Sequence, residues 1–381
     1  MKVCFYCDNW PSFAQMHGAA RYAQTLAKGL VARGVETHIL TSHHEEQDLL
    51  EDGYHVHARR APPVRAVRRF QPGLGESFHV WRAVEQLHRR HQFDLVELTN
   101  VEGIGYCTAL LSRLPTVVRV HTTAFDAARL TIGNVRLEQK YARLERWTAH
   151  RATALVTHTT THRQQAAADY RVPIDRIHLV PHGIMPTAPD RPVTRRPAQI
   201  LSVGTAGPRK GVARFLEAAQ RLTETCADVH FIWAGADRPS SPDGTTWAEY
   251  ARRRHPSLVG RIEFRSGLSD GAIASLYAES GLYLCTSIYE SFGLTMVEAM
   301  MADLPVIAPR TAAMAEIIHD GKIGWLYEPD SLDDLVGRVR HVLESPTERA
   351  RIAEAGHRAA QAEYSAETMT SRMLELYRGL V

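Results

Sequence analysis

The sequence lacks the features that would place it in a membrane, in a secreted scaffold or on nucleic acid. No run of about 18 apolar residues occurs in its 381 positions, which excludes a spanning helix on hydropathy. Met1-Lys2 leads directly into a short strand-like segment, not into the apolar core of a signal peptide, so a cytoplasmic location is expected. Cysteine is scarce: five residues, scattered and odd in number, do not build a disulfide framework. Cys4 and Cys7 form a C-x-x-C, but inside the apolar strand Val3–Cys7, where they read as core residues and not as a redox or metal pair. Charge of one sign is not in excess either. The 45 Lys+Arg against 42 Asp+Glu leave +3, aromatics are 8%, and no RNA-binding signature occurs, so nucleic acid is not an expected partner.

What is present is a globular composition, 44% hydrophobic and 23% charged, on a chain long enough for two domains. Strand and helix patterns alternate from end to end, which implies parallel sheets covered by helices on both faces. "KVCFYC", "VETHILT", "FDLVELT", "TVVRVH", "TALVTHT" and "RIHLVP" read as strands of a first unit. Its first helix carries Tyr22, Leu26, Leu30 and Val31 and stops at Gly34. "HGIMPTAPDRPVTRRPAQ" then packs four prolines between two strand signals and is the strongest linker candidate. "ILSVG", "VHFIWAGA", "IEFRSG", "GLYLCTS" and "LPVIAP" read as strands of a second unit. The expected fold class is α/β with two Rossmann-like doubly wound domains facing a central cleft. The expected boundaries are 1–185, 186–365 and a C-terminal helix at 366–381 packing back on the first domain.

Open parallel sheets bind ligands at the carboxyl ends of their strands, which directs attention to two loops. "VGTAGPRKG", Val203 to Gly211, follows a strand and precedes a helix. Gly204, Gly207 and Gly211 permit close backbone approach, the helix start offers unpaired N–H groups, and Arg209 and Lys210 add two cations. This is phosphate chemistry, but the spacing is neither a Walker A loop nor G-x-G-x-x-G. In "SIYESFGLTMVEAMM", Gly293 ends a loop and "LTMVEAMM" reads as a helix, with Glu290 before it and Glu298 on its second turn, about 6–8 Å in. A diphosphate on Arg209, Lys210 and the helix start would leave each carboxylate facing a hydroxyl-bearing neighbour. A ribose at one end and a sugar at the other make a nucleotide sugar.

"ESFGLTMVE" resembles the E-x7-E motif of retaining GT-B glycosyltransferases of family 4, and "GPRKG" resembles their R-x(n)-K-G diphosphate loop. The resemblance runs from the glycine loop at Gly18 through "RVH" to "DGKIGWLYEP". It implies that Arg209 and Lys210 hold the donor diphosphate and Glu298 the nucleotide ribose. It also implies that Glu290, with the backbone of Ser291, Phe292, Gly293 and Leu294, holds the donor sugar. Gly204 and Leu268 join this donor set, and His121 matches the family's histidine near the anomeric carbon. A UDP-sugar is the favoured co-substrate, with no resident cofactor and no metal. Departures from the family pattern are His17 in the usual pair of glycines before the first helix, Asp303 in place of glycine before L-P-V, and Ala313-Met314-Ala315 in place of a glycine pair.

No Asp-x-Asp occurs in the chain, so the leaving diphosphate would be neutralised by Arg209, Lys210 and a helix start instead of a divalent ion. "THTTTH" sets His158 and His162 four apart, a ligand spacing if helical, yet a surface or capping role is the expectation. The basic stretch at 57–70 reads as an acceptor-side loop that could meet an anionic acceptor or, at the inner membrane face, anionic lipid. The function expected from the whole is retaining transfer of a hexose-type sugar to a hydroxyl acceptor. A GT-B epimerase or phosphorylase, or a non-catalytic sugar-nucleotide-binding subunit, stand as alternatives.

Overall fold

The computed structural model describes residues 1–8, 10–12, 18–60, 71–130, 134–226 and 228–381. The chain divides into two compact units, Met1–Gly183 with Ala366–Val381, and Ile184–Ser365.

The described strands of the first unit are β1 (Lys2–Tyr6), β2 (Glu36–His43), β3 (Gln47–Glu51), β4 (Tyr54–Arg60), β5 (Leu95–Thr99), β6 (Thr116–Arg119), β7 (Ala154–Thr157) and β8 (Ile177–Leu179). They form one sheet in the order β3-β4-β2-β1-β5-β6-β7-β8. Period-2 alternation sends Val3 and Phe5 of β1 into one core and Cys4 and Tyr6 into another. On the Val3 face lie Leu26 and Leu30 of helix Gly18–Val31, together with Met369, Met373 and Tyr377 of helix Ala366–Arg378. Val80, Val84 and Leu87 of helix Leu74–His91 cover the Cys4 face. Burial pushes the Cys4 thiol up and carries the Cys7 thiol to about 12, as core residues require.

One strand pair departs from the parallel pattern. β3 and β4 run antiparallel around Asp52-Gly53, whose φ angles of 46° and 85° are those of a primed hairpin turn. Residues 57–60, read above as the start of a loop, therefore belong to β4, with His57 and Ala58 buried in the sheet. The rest of that basic stretch, 61–70, lies outside the described residues, as does His17.

The second unit holds β9 (Arg196–Val203), β10 (His230–Ala234), β11 (Ile262–Arg265), β12 (Ser280–Leu284), β13 (Val306–Pro309) and β14 (Trp325–Tyr327), all parallel, in the order β11-β10-β9-β12-β13-β14. Strands buried on both faces read as continuous apolar runs, as in "LYL" and "VIA". The order reverses between β9 and β12. That reversal is where the loops after two neighbouring strands part and leave a crevice. The proline-rich segment does not hang free: Arg191 pairs with Glu279 at 2.6 Å, Arg195 donates to the Asp303 carbonyl at 2.7 Å, and β9 already starts at Arg196.

Candidate active site

The crevice of the second unit is framed by the loops after β9 and β12. After β9 the chain passes Gly204, makes one tight turn at Pro208–Lys210, and enters helix Val212–Thr225 through Gly211. Gly211 has φ 72°, and a Cβ there would stand 1.8 Å from the Thr286 carbonyl oxygen, so the β9 loop touches the β12 loop only because position 211 has no side chain. Two further bonds fasten the loops: the Ile288 N–H donates to the Arg209 carbonyl at 2.8 Å, and the Thr286 hydroxyl to that of Lys210 at 3.0 Å. Among the described residues no side chain caps helix Val212–Thr225, which leaves its first N–H groups available to an anion.

These contacts bring the sequence-predicted residues together. Lys210 Nζ donates to Glu290 Oε1 at 2.6 Å, and Arg209 Nη1 donates to Glu290 Oε2 at 3.3 Å and to the Tyr289 carbonyl at 3.0 Å. Ser287, three residues before Glu290, donates to the same Oε1 at 2.9 Å. Burial by itself would push the Glu290 carboxyl up, but the charges of Lys210 and Arg209, with the hydrogen bonds of Lys210 and Ser287, hold it below the usual carboxylate range. Glu290 is thus a fixed, ionised acceptor.

Gly293, at φ 91° and ψ 51°, turns the chain into helix Leu294–Met301. Phe292 is buried with its ring edge-on to Tyr364, 5.5 Å between centroids, so its side chain belongs to the core of the second unit. Leu268, in the loop after β11, and Leu294 are half-buried and pack against the core cluster to which Phe292 and Met296 belong. Glu298, half-buried, accepts from the Tyr277 hydroxyl at 3.0 Å. Tyr277 and Ser287 are the supports that sequence reasoning missed. The spacing of Ser287 in "SIYE" could have revealed that one, whereas Tyr277 approaches from a separate helix, Asp270–Glu279. Asp303, which replaces a glycine of the family pattern, keeps the left-handed backbone at φ 55°, a conformation aspartate tolerates better than most side chains.

Gly18 and His121 belong to the first unit. Gly18 is the exposed first residue of helix Gly18–Val31. His121 follows β6 at the carboxyl edge of the sheet; its N–H donates to Asn100 Oδ1 at 2.8 Å, and its ring stacks on that of His182 at 5.4 Å between centroids. Behind it, buried Arg119 lies 4.3 Å over the Tyr22 ring, and the Tyr22 hydroxyl donates to Glu97 at 2.7 Å. Burial first, then the charge of Arg119 and the proximity of His162, push the His121 imidazole down to about 3, so the ring is neutral. A cavity of about 230 Å³, lined in part by Tyr6, Asp8, Tyr22, Thr99 and His121, opens at this edge, where the strand order reverses between β1 and β5. Among the residues singled out for metal spacing, His158 and His162 are neither surface groups nor caps. Both are buried, Thr159 caps helix Thr160–Tyr170, and His162 Nδ1 lies 2.6 Å from the Thr157 hydroxyl.

A glycine-bearing basic loop meeting a glutamate-bearing loop at the switch point of a parallel sheet, in a chain that also holds a second doubly wound unit, defines an α/β protein with a candidate ligand site in its second unit. Comparison with known sequences agrees: residues 189–359 match the family described as "Glycosyl transferases group 1", and residues 16–187 match "Glycosyltransferase Family 4". The chain belongs to the glycosyltransferases of family 4. It is similar to an MMP alpha-(1->4)-mannosyltransferase of Mycolicibacterium hassiacum, 26% identical over 76% of this chain and 71% of the relative. Among solved structures it resembles sucrose-phosphate synthase from Thermosynechococcus elongatus, with TM-score 0.80, 18% identity and coverage of 100% and 98% of the two chains. It also resembles Anabaena HepE in complex with UDP-glucose, with TM-score 0.70, 17% identity and full coverage of both chains. These likenesses make the fold GT-B.

Proposed function

We propose that this glycosyltransferase moves a hexose from a nucleotide diphosphate sugar, a UDP-sugar by preference, to a hydroxyl acceptor with retention of configuration and without a metal ion. The observation that carries this reading is the convergence of Lys210, Arg209 and Glu290 at an uncapped helix start. Two cations beside free N–H groups suit a diphosphate, and the doubly charged ligand would draw both away from Glu290 as charge develops on the leaving group. Glu290, released from its partners, then accepts from sugar hydroxyls, while Glu298, steadied by Tyr277, accepts from the ribose. The UDP-glucose bound by HepE, which shares the fold, supports the choice of donor.

His121 bears on stereochemistry. An inverting displacement needs a base behind the anomeric carbon, and an imidazole whose conjugate acid lies at about 3 is a poor one at neutral pH. A neutral ring beside a developing oxocarbenium centre fits retention. The cavity that His121 lines in the first unit is the candidate place for the acceptor.

The test is a screen of UDP-, GDP- and ADP-sugars for thermal stabilisation, followed by turnover with and without acceptor in the presence of a chelator. A donor at about 100 times its dissociation constant adds roughly 2.7 kcal/mol of stability. Acceptor-dependent turnover that survives the chelator supports the proposal. Nucleotide release without acceptor would mark an epimerase, binding without turnover a partner subunit, and magnesium-restored activity a misassigned diphosphate site.

A further inference from the structure

At the opposite, amino edge of the first unit's sheet, three histidines converge that the transfer reaction does not use. His38 on β2 lies opposite His55 on β4, which places His57 diagonally next on the same face. Helix Leu74–His91 covers that face, and its last residue, His91, ends over the two strands with its ring 4.6 Å from that of His38 and 5.3 Å from that of His57. We propose that His38, His57 and His91 form a binding site for one zinc ion, held by three imidazole nitrogens.

The hydrogen bonds around the rings carry the argument. His57 Nδ1 lies 2.8 Å from Asp48 Oδ1, and His38 Nε2 lies 3.1 Å from Glu36 Oε1. A carboxylate can only accept, so each outer nitrogen bears the proton. The inner nitrogens, His38 Nδ1 and His57 Nε2, then present two lone pairs to each other across 3.0 Å, in rings only 7° from parallel. That opposition is unfavourable unless a proton or a metal ion relieves it, and His91 Nε2, buried and without a hydrogen-bond partner among the described residues, is available to offer a third lone pair. One donor atom from each of the three residues lies within 4.8 Å of the others. Zinc–nitrogen bonds of about 2.0–2.1 Å in a tetrahedron set donors roughly 3.3 Å apart, so entry requires the His38–His57 pair to widen slightly and His91 to close in.

Donor chemistry selects the ion. Three neutral imidazoles suit zinc and its borderline neighbours, while calcium and magnesium demand oxygen. Asp48 and Glu36 act as the carboxylates that fix the tautomer and raise the basicity of a ligating histidine. An ion here would tie the end of helix Leu74–His91 to β2 and β4, with no part in the chemistry at the carboxyl edge.

Zinc chloride titrated into the chelator-stripped full chain, with a chromophoric chelator as competitor, tests this. One zinc per chain is expected. His91→Gln, at a half-buried helix end, should abolish tight binding while leaving the circular dichroism unchanged, and Asp48→Asn should weaken it roughly 10–100-fold. Cobalt loading should give tetrahedral ligand-field bands without thiolate charge transfer, which separates these histidines from the five cysteines. No stoichiometric uptake, uptake indifferent to His91→Gln, or a thiolate band would each overturn the site.

Discussion

Lys210 and Glu290 form a pair with 15% and 12% of their side-chain surfaces exposed, so each is the other's main electrostatic environment. Lys210→Ala leaves Glu290 with Arg209 and the Ser287 hydroxyl, and burial then pushes its carboxyl upward. The expected result is kcat lower by about 2–3 orders of magnitude, with the acid limb of kcat/KM moved to higher pH. Steady-state kinetics across pH check both; an unchanged kcat with a raised KM would reduce Lys210 to uniform binding. A second residue governs stability. Glu145 accepts the Ala124 N–H and the Tyr170 hydroxyl, at 2.8 Å for the latter, and burial raises its carboxyl to about 8. A raised carboxyl contributes stability that is full below its ordinary range and is lost as pH climbs toward 8, by up to about 1.4 kcal/mol per pH unit. Urea unfolding at pH 5 and pH 8 should therefore show a steeper decline for the wild type than for Glu145→Gln. The meeting of Arg209 and Lys210 with Glu290 was legible because these residues fall inside short motifs. Tyr277 and the buried Glu97-Tyr22-Arg119 group behind His121 were not, because such contacts join residues far apart in sequence.

Elements carry their own tests. The β9 loop depends on Gly211, where left-handed backbone and the Thr286 carbonyl both exclude a side chain, whereas Gly207 has an extended backbone and nothing nearer to its missing Cβ than the Ser240 hydroxyl at 3.9 Å. Gly211→Ala should cost about 3 kcal/mol or more and reduce donor binding, while Gly207→Ala should be close to neutral in thermal unfolding. Equal effects would mean that the contact with Thr286 does not organise the loop. Most strands were readable as apolar runs between turn residues, and helix Leu294–Met301 begins at the predicted residue. β3 and β4 escaped because the polar, histidine-rich "YHVHARR" masks its alternation, although Asp52-Gly53 is a hairpin signal in plain sight. β14, three residues long, was too short to show any period.

For the whole molecule, alternation of strand and helix made two doubly wound units legible, and the proline-rich segment falls at the division between them. Less visible in sequence is how helix Ala366–Arg378 is held in the first unit. Met369, Met373 and Tyr377 join the core of helix Gly18–Val31, and the Tyr377 hydroxyl donates to Glu97. The central proposal is retention, and it rests on the roles proposed above: both glutamates on ligand hydroxyls, the cations on the leaving group, and a neutral His121 that is a poor base. Proton NMR of the fresh product, read at the anomeric coupling constant, tests it most directly. From an α-linked gluco-configured donor the account predicts an α-linked product; a β-linked product would contradict it, together with the roles given to Glu290, Glu298 and His121.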